Sequence, residues 1–513
     1  MNTEILYGAL DNLFTWEVLL AITAGVVGGI IIGALPGLSG TMGIALLVPV
    51  TFGMDPVAGI SMLVAIYAAA TYGGSISAIL INTPGTPAAA ATALDGYQLT
   101  LRGKGAKALA VSAIASMSGG LVSAFALLLI APPLAQVSLA FAASEYFLIA
   151  IFGLLIIGSL SAGSLLKGFA AGAIGLLVAT VGIDILTGYP RFTFGTTALQ
   201  SGIALVPALI GLFSLSQVLI LAEGRSTSTA PTRSSVTGRA MPTLRELRRL
   251  GGTIGRSSGI GVFVGLLPGA GGDIGSWIGY NEAKRFSRGK DREEFGKGSL
   301  KGVAGAETCN SGVTGGSMVP MLTLGIPGSS ATAVIFGGLL IHGLQPGGAL
   351  FTEQGDITYA IMFGFLLANI LIGAFALAGA RYFVLATRAP IRVLVPVIVA
   401  LCVVGTYAVN NSIADVWVML VFGVIGYVLR KVGMPPAPIV LGLILGSIAE
   451  KGLRQSAVMA QGDLLGYYFS RPLTIVLMLL ILLSLTAPLL ARWMRRRLPT
   501  EDSESGPRPE VTP

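Results

Sequence analysis

Charged residues are scarce in this 513-residue chain, where Asp, Glu, Lys and Arg together make up 11%, against roughly 25% in soluble domains. The deficit is concentrated in charge-free runs such as 108–144 and 357–380. Runs of this length predict helices that cross a membrane. The alternating pattern of a membrane β-barrel is absent from them. We therefore expect an all-α polytopic membrane protein.

Cysteine and histidine are rarer still. Cys309 and Cys402 are far apart in apolar sequence, so neither a disulfide framework nor a thiolate metal site is expected. The single histidine, His342, ends an apolar run and is expected at the membrane interface rather than in catalysis. The patterns G-x-x-x-x-G-K-[ST], H-E-x-x-H and C-x-x-C do not occur, so we expect no direct use of ATP and no metal or other cofactor.

Glycine, by contrast, is abundant: the 71 glycines suit close packing of helices in lipid. The net charge of +8 does not indicate nucleic-acid binding, because the Lys and Arg residues lie in short loops between apolar runs. There they set the orientation of the chain in the bilayer. Residues 1–17 lack a basic segment ahead of the first apolar run, so no cleaved signal peptide is expected.

The pattern G-x-L-P-G-x-x-G-x-x-G occurs twice in apolar sequence, at 33–43 and 265–275. Proline removes a backbone donor and glycine permits positive φ, so each copy should break a helix. The charge-free run 18–54 would measure roughly 55 Å as one helix, against a hydrocarbon core of about 30 Å. It therefore has to fold back at Pro36 and Gly37. One such break in each half indicates a transporter binding site.

Two further landmarks follow each copy in the same order. They are a G-G-S triplet, at 73–75 and 315–317, and then a Pro-Gly turn flanked by Ser or Thr, at 83–86 and 326–330. Three aligned landmarks predict an internal duplication. Additional spans are predicted at 108–130, 146–161, 168–183, 200–221, 357–380, 393–409, 416–429, 439–449 and 473–490, the last without a counterpart in the first half.

Equivalent loops of the two halves carry opposite charge, with Arg102, Lys104 and Lys107 in one and Glu353 and Asp356 in the other. The positive-inside rule then predicts two inverted-topology repeats with re-entrant or broken helices, including a re-entrant hairpin over 259–280. The N-terminus is predicted in the periplasm and the C-terminus in the cytoplasm.

These features divide the chain into five segments. One of them is a linker between the two repeats, which is rich in Ser, Thr and Arg and has a short amphipathic helix near 244–250. Lys451 and Arg454 would lie outside, against the rule. The segments are a first transmembrane repeat (1–222), a cytoplasmic basic linker (223–257), a second transmembrane repeat (258–456), a C-terminal transmembrane helix (457–497) and a disordered tail (498–513).

The four Pro-Gly turns leave backbone groups unpaired at membrane depth, and inverted symmetry would bring them together near the midplane. Half-helix N-termini present N–H groups that suit a carboxylate. The alternative is that the small residues only allow close helix packing. The predicted substrate-binding residues are Pro36, Gly37, Ser39, Gly40, Thr41, Asn82, Thr83, Pro84, Gly85, Thr86, Gly269, Gly271, Gly272, Asn310, Ser311, Pro327, Gly328, Ser329 and Ser330.

Two acids lie within the apolar sequence of the second half. Asp273 occupies the position in its motif that Thr41 holds in the first copy, and Glu307 precedes a charge-free run. Ionisable residues at membrane depth are costly and usually functional, so both are candidates for coupling Na⁺ or a proton. The alternative is a salt bridge to the nearby basic residues Lys284, Arg285 or Lys301.

A competing hypothesis comes from residues 37–40, which match the G-x-S-G of rhomboid-type intramembrane proteases, with Ser39 as nucleophile and His342 as base. The match is short and the chain is rich in glycine. The equivalent residues 269–272 lack the serine, and a single Ser–His pair does not explain a doubled framework. We regard this hypothesis as weak.

The motifs at 33–40, 72–75, 82–85, 315–317 and 325–328 together resemble the large membrane subunit of the tripartite tricarboxylate transporters. The resemblance implies a permease of the bacterial inner membrane that works with a small membrane subunit and a periplasmic solute-binding protein. Such permeases take up citrate or other carboxylates on an ion gradient. The individual substrate and the coupling ion stay open, and a passive channel or exporter of small anions is the alternative.

Overall fold

The computed structural model describes residues 3–160, 165–184, 187–223, 241–269, 271–386 and 390–497. In the described part of the first half, the regular structure is helical except for two antiparallel strands of two residues each, β1 (Gly182–Ile183) and β2 (Pro190–Arg191). Its helices are α1 (Thr3–Leu13), α2 (Trp16–Ala34), α3 (Gly40–Thr51), α4 (Pro56–Ile81), α5 (Ala89–Leu101), α6 (Gly105–Ser138), α7 (Ala143–Leu160), α8 (Leu165–Ala179), a short 3₁₀ turn (Thr197–Leu199), α9 (Leu205–Leu209), a π-helical segment (Ile210–Leu215) and α10 (Ser216–Glu223).

The second half repeats this order of long helices. Its helices are α11 (Leu244–Leu266), α12 (Gly271–Arg285), α13 (Lys290–Glu293), α14 (Leu300–Leu324), α15 (Ser330–Ile341), α16 (Gly348–Thr352), α17 (Gly355–Ala386), α18 (Ile391–Asn410), α19 (Ile413–Lys431), α20 (Ala437–Met459), α21 (Leu464–Phe469) and α22 (Pro472–Arg497). The α2–α6 series thus corresponds to α11, α12, α14, α15 and α17.

Within the described residues, seven helical stretches are long and apolar enough to cross a membrane. They are Trp16–Ala34, Pro56–Ile81, Gly105–Ser138, Leu205–Glu223, Gly355–Gly379, Arg392–Asn410 and Ile413–Lys431. Many of their outward side chains are large and apolar, such as Leu129, Val404 and Trp417, as expected of helices that face lipid. The predicted all-α polytopic membrane protein is confirmed.

The bundle has two ends, which we name after Asp55 and Lys107. At the Asp55 end, the backbone of Asp55 bonds the Glu17 carboxylate, and Asn12 bonds Asp356 at the start of α17. At the Lys107 end, Lys107 of α6 pairs with Glu246 of α11. There too, Asp95 of α5 accepts hydrogen bonds from the backbone of Gly298 and Ser299, at the start of α14.

The two L-P-G motifs form re-entrant hairpins that enter from opposite ends. Helices α2 and α3 form a hairpin open at the Asp55 end, and α11 and α12 form one open at the Lys107 end. Gly37 and its equivalent Gly269 have φ of 85° and 81°, a conformation that favours glycine. The two hairpins therefore have the opposite orientations that an inverted repeat requires, and the hairpin predicted over 259–280 is the inner part of the longer α11–α12 hairpin.

The second Pro-Gly turn of each half returns the chain to the middle of the bundle. Beyond α4, the N–H of Gly85 bonds the carbonyl of Gly74, and a Cβ on Gly85 would lie 1.9 Å from the carbonyl oxygen of Gly33. In the second half, a Cβ on Gly328 would lie 2.8 Å from the carbonyl oxygen of Gly265. Each turn is thus packed on the broken helix of its own repeat.

The amphipathic segment predicted near 244–250 is the start of α11 rather than a separate helix of the linker. Thr243 and Glu246 form a capping box there, and this box starts a helix that continues without interruption to Leu266. The boundary predicted at residue 258 therefore falls inside α11. Most of the predicted linker, 224–240, and the tail, 498–513, lie outside the described residues.

Basic residues at the Asp55 end are largely neutralised by ion pairs. Arg454 pairs with both Asp184 and Glu450, and Arg191 pairs with the same two acids. Arg471 likewise pairs with Glu145. The predicted conflict with the positive-inside rule at Arg454 is therefore reduced, because its charge is compensated within the folded chain.

Candidate functional site

All four Pro-Gly turns contribute to one cavity of about 470 Å³, a volume typical of small-molecule sites. The helices α3, α5, α12 and α15 all begin at this cavity and run away from it. Its lining consists of Ser39, Gly40, Thr41, Tyr67, Thr71, Thr86, Pro87, Ala88, Phe213, Gly271, Gly272, Asp273, Asn310, Thr314, Ser329, Ser330, Ala331, Arg430, Gly433, Met434, Pro435, Pro436 and Ala437.

The N-termini of α3 and α15 are held by serine caps. Ser39 accepts a hydrogen bond from the N–H of Met42, and Ser329 forms a capping box with Thr332. The Tyr67 hydroxyl lies 3.1 Å from the Ser329 hydroxyl, so α4 of the first repeat contacts the cap of α15 in the second. These caps fix two helix N-termini, with their partial positive charge, at the cavity wall.

Thr41 and Asp273 make equivalent contacts across the repeats. The Thr41 hydroxyl lies 3.2 Å from the Ser330 hydroxyl, at the start of α15. The Asp273 carboxylate accepts a hydrogen bond from the backbone N–H of Ala88, at the start of α5. A carboxylate at a helix N-terminus is stabilised by the unpaired N–H groups there. Asp273 forms no salt bridge with a described basic residue, so the predicted alternative is wrong for it.

Two buried polar side chains in the cavity wall have no hydrogen-bond partner among the described residues. The Nδ2 of Asn310 is one, in a residue only 2% exposed, and the Oγ1 of Thr86 is the other, in a residue 9% exposed. Unpaired buried polar atoms cost about 1–3 kcal/mol each. Both atoms belong to residues that line the cavity.

Nine of the 19 predicted substrate-binding residues line the cavity, and the other ten lie outside its lining. Asn82 and Thr83 are exposed because α4 continues past the middle of the bundle to Ile81 before the chain turns back. Those outside are Pro36, Gly37, Asn82, Thr83, Pro84, Gly85, Gly269, Ser311, Pro327 and Gly328. Several of these, such as Gly85, shape the turns rather than the wall.

Glu307 is fully buried in α14, one helical turn before Asn310, and does not line the cavity. Its carboxylate accepts hydrogen bonds from the hydroxyls of Thr92 and Ser116. Of the suggested salt-bridge partners, Lys301 pairs with Asp291 instead. Because no basic residue in the described part of the chain pairs with Glu307, the alternative of a salt bridge is wrong for this residue too.

Ser39 and His342 do not form a catalytic pair. His342 bonds Thr51, at the C-terminal end of α3, whereas Ser39 caps the N-terminal end of the same helix. A helix of 12 residues separates its ends by about 18 Å. His342 is half-buried at the Asp55 end, as predicted for an interfacial residue.

Tyr67 and Arg430 line the cavity but are not among the residues predicted from the sequence. Tyr67 lies in an apolar helix, where a buried hydroxyl usually needs a hydrogen-bond partner. This requirement is the feature of the sequence that could have indicated a polar role for Tyr67. Arg430 lies in the last turn of α19, where an arginine is ordinarily attributed to the interface. Only the three-dimensional packing places Arg430 at the cavity.

Inverted repeats whose broken helices begin at one polar cavity are the architecture of secondary transporters. The chain is thus a multi-pass membrane protein of transporter type. A model of the tripartite tricarboxylate transporter TctA family matches residues 19–441, and the chain belongs to this family of membrane transporters.

Two proteins of Agrobacterium vitis are similar to the chain. One, an uncharacterised 52.8 kDa protein in the TAR-I ttuC' 3' region, is 38% identical over 442 residues, which cover 86% of this chain and 87% of that protein. The other, an uncharacterised protein in the TAR-II ttuC' 3' region, is 36% identical over 203 residues, which cover 40% of this chain and 83% of that protein. No solved structure matches the chain.

Proposed function

We propose that this chain is the permease subunit of a binding-protein-dependent secondary transporter that imports organic anions, chiefly di- and tricarboxylates. The observation that carries the proposal is the convergence of four half-helix N-termini on one cavity with unpaired polar atoms in its wall. Helix N-termini bind anions through free N–H groups and the helix dipole. Membership of the family supports the same substrate class.

The substrate carboxylates would bind on the side of the cavity formed by α3 and α15. There the hydroxyls of Ser39, Thr41 and Ser330 accompany two helix N-termini. The N-terminus of α5 is less available, because the Asp273 carboxylate already accepts a hydrogen bond from Ala88. Asn310 and Thr86 supply further hydrogen-bonding atoms.

Ion coupling is assigned to Asp273 and Glu307. Both are acids without a basic partner among the described residues, and the first contacts the cavity while the second lies one turn behind it. Protonation or Na⁺ binding would neutralise Asp273 and weaken its hold on α5. Transport by alternating access would then move the two hairpin pairs relative to each other, as in other inverted-repeat transporters.

We propose that the permease lies in the bacterial inner membrane, with its N-terminus in the periplasm and its C-terminus in the cytoplasm. The Asp55 end would face the periplasm, and the basic Lys107 end the cytoplasm. The chain would act with a small membrane subunit and a periplasmic solute-binding protein, in accordance with the tripartite description of its family.

The test is uptake by proteoliposomes that contain this chain and its small membrane subunit, supplied with the partner binding protein. We expect accumulation of citrate or succinate when a Na⁺ or proton gradient is imposed, and no accumulation without the binding protein. Uptake that requires ATP, or equal flux with and without the binding protein, would contradict the proposal. The second result would instead indicate a passive channel or an exporter.

A further inference from the structure

We infer that Arg430 binds a carboxylate group of the transported anion. This inference rests on the proposed function and adds to it a residue that neither the L-P-G motifs nor the Pro-Gly turns contain. Arg430 lies in the last turn of α19, and the connection that follows, 433–437, forms the same side of the cavity. Among the described residues that line the cavity, Arg430 is the only one with a basic side chain.

The guanidinium of Arg430 has unused hydrogen-bonding capacity. Its Nη1 donates to the Oε1 of Gln217 at 2.9 Å, and its Nε is buried without a partner in the described structure. No described carboxylate lies within ion-pair distance of it. A guanidinium carries five N–H donors, and a charge without a counter-ion at membrane depth is costly. An anion in the cavity would supply both the charge and the acceptors.

The acid in the cavity is engaged elsewhere. Asp273 accepts from the backbone of Ala88 at the start of α5, and it is the only described acidic residue in the lining. The adjacent Lys431 is paired with Glu223 outside the cavity. The bound anion is therefore the missing partner of Arg430, and two parallel N–H···O bonds to one carboxylate are the geometry that arginine favours.

Gln217 fixes the position of the guanidinium relative to the first broken helix. Its Oε1 accepts from Arg430, and its Nε2 donates to the carbonyl of Gly37 at 2.8 Å. Arg430 of the second repeat is thus connected through α10 to the first L-P-G turn. A substrate held between Arg430 and the N-terminus of α3 would contact both repeats at once.

The test compares Arg430→Gln and Arg430→Lys with Lys431→Gln, a control at the neighbouring exposed residue. The probe is citrate, or succinate if the wild type does not take up citrate. We expect Arg430→Gln to raise the KM for uptake roughly 10- to 100-fold, the value for loss of a hydrogen bond to a charged group. Arg430→Lys should raise the KM less than Arg430→Gln does, because lysine keeps the positive charge but lacks the planar pair of N–H donors. Lys431→Gln should leave the KM unchanged.

A second measurement separates binding from structure. Millimolar probe should raise the melting temperature of the purified wild type and of Lys431→Gln, but not of folded Arg430→Gln. An unchanged KM in Arg430→Gln would overturn the inference. A second combination of results would also overturn the inference. In it, Gln217→Ala raises the KM as much as Arg430→Gln does, and Arg430→Lys recovers none of the loss. Arg430 would then act only by holding the first L-P-G turn in place. If the wild type takes up neither probe, the proposed function itself fails.

Discussion

Each of the two L-P-G hairpins contacts the start of a helix that follows a Pro-Gly turn, but the side chains that make the contact differ. In the first repeat, Thr41 at the start of α3 bonds Ser330 at the start of α15. In the second, Asp273 at the start of α12 bonds the backbone of Ala88 at the start of α5. The buried Glu307 of α14 likewise corresponds to an alanine, Ala65, in α4. Both candidates for ion coupling thus belong to the second repeat, whereas a hydroxyl and an apolar residue hold the equivalent positions in the first.

This difference would allow a symmetric framework to bind the two ligands that we propose, an anion and a coupling ion. Helix packing needs only that each turn fit its neighbours, and both repeats meet that need with glycines at Gly33, Gly85, Gly265 and Gly328. Side chains at the helix starts are free to differ, because the backbone contact does not depend on them. The structure therefore separates a shared scaffold from residues that can specialise in anion contact or in ion coupling.

The largest effect is expected from Gly85→Ala, compared with its equivalent Gly328→Ala. The added Cβ would lie 1.9 Å from the Gly33 carbonyl oxygen in the first case and 2.8 Å from the Gly265 carbonyl oxygen in the second. Overpacking of this kind costs about 1–3 kcal/mol or more. We expect both variants to melt at lower temperature in detergent, and Gly85→Ala to be the less stable of the two.

The control for this comparison is Gly28→Ala in α2, where an added Cβ meets no atom within 4 Å. Alanine also favours the helix over glycine, so this variant should be at least as stable as the wild type. If Gly85→Ala melted at the same temperature as Gly28→Ala, the first repeat would not depend on close contact between its two turns.

The next largest effect is expected from substituting Asp273 and Thr41, the equivalent residues at the starts of α12 and α3. Asp273→Asn removes the charge but keeps the size of the side chain, so we expect it to alter the dependence of uptake on the Na⁺ or proton gradient. Gradient-driven accumulation should fall roughly 10- to 100-fold, as for loss of a charged hydrogen bond. Thr41→Ala should instead raise the KM for the anion by less than about 10-fold, the value for a neutral hydrogen bond.

Both variants are measured in the same proteoliposomes, with the gradient and the anion concentration varied independently. An unchanged gradient dependence in Asp273→Asn would remove Asp273 from the coupling role. If Thr41→Ala changed the gradient dependence and Asp273→Asn changed the KM, the division of roles between the repeats would be reversed.

The packing explains why the sequence predicted the scaffold better than the cavity wall. Span length and loop charge depend on the bilayer, so the broken helices at Gly37 and Gly269 and their opposite orientation could be derived from local sequence. The wall depends on which helices meet. Asn82 and Thr83 flank a predicted turn, but the length of α4 carries them beyond the cavity. Arg430 is distant in sequence from every motif and reaches the cavity only because α19 packs near α10.

Glu307→Gln tests whether Glu307 takes part in ion coupling, in contrast to its apolar equivalent Ala65 in the first repeat. The carboxylate is held by hydroxyls rather than by a cation, and glutamine has nearly the same shape. We expect the melting temperature to change little, with a cost within about 1 kcal/mol, while the ion dependence of uptake changes. Ala65→Ser, at the equivalent buried position of α4, is the control and should not alter the ion dependence. A loss of stability of several kcal/mol in Glu307→Gln would indicate a structural carboxylate instead.

The smallest effect concerns the polar contacts that hold the first turns of α6 and α17. The contact at α6 is the Lys107–Glu246 ion pair, at 2.9 Å, and that at α17 is the hydrogen bond from Asn12 to Asp356, at 3.3 Å. Glu246 lies in the polar first turn of α11, ahead of its apolar part. The Lys107 side chain, with the backbone of Thr243, lowers the pKa of Glu246 to about 2 from 4.5.

Because the pKa of Glu246 is lower in the folded protein, its stabilisation is complete above pH 4.5 and is lost as the pH falls towards 2. The pair is partly exposed, so Glu246→Gln should reduce the free energy of unfolding at pH 7 by at most about 1 kcal/mol. Asp356→Asn removes the charge but keeps an oxygen that can accept from Asn12, so it should cost less. Melting of both variants and of Glu282→Gln, at an exposed pair on α12, is compared with the wild type at pH 7 and pH 3. The deficit of Glu246→Gln should shrink at pH 3, and a deficit that grows on acidification would show that Lys107 is not its partner in solution.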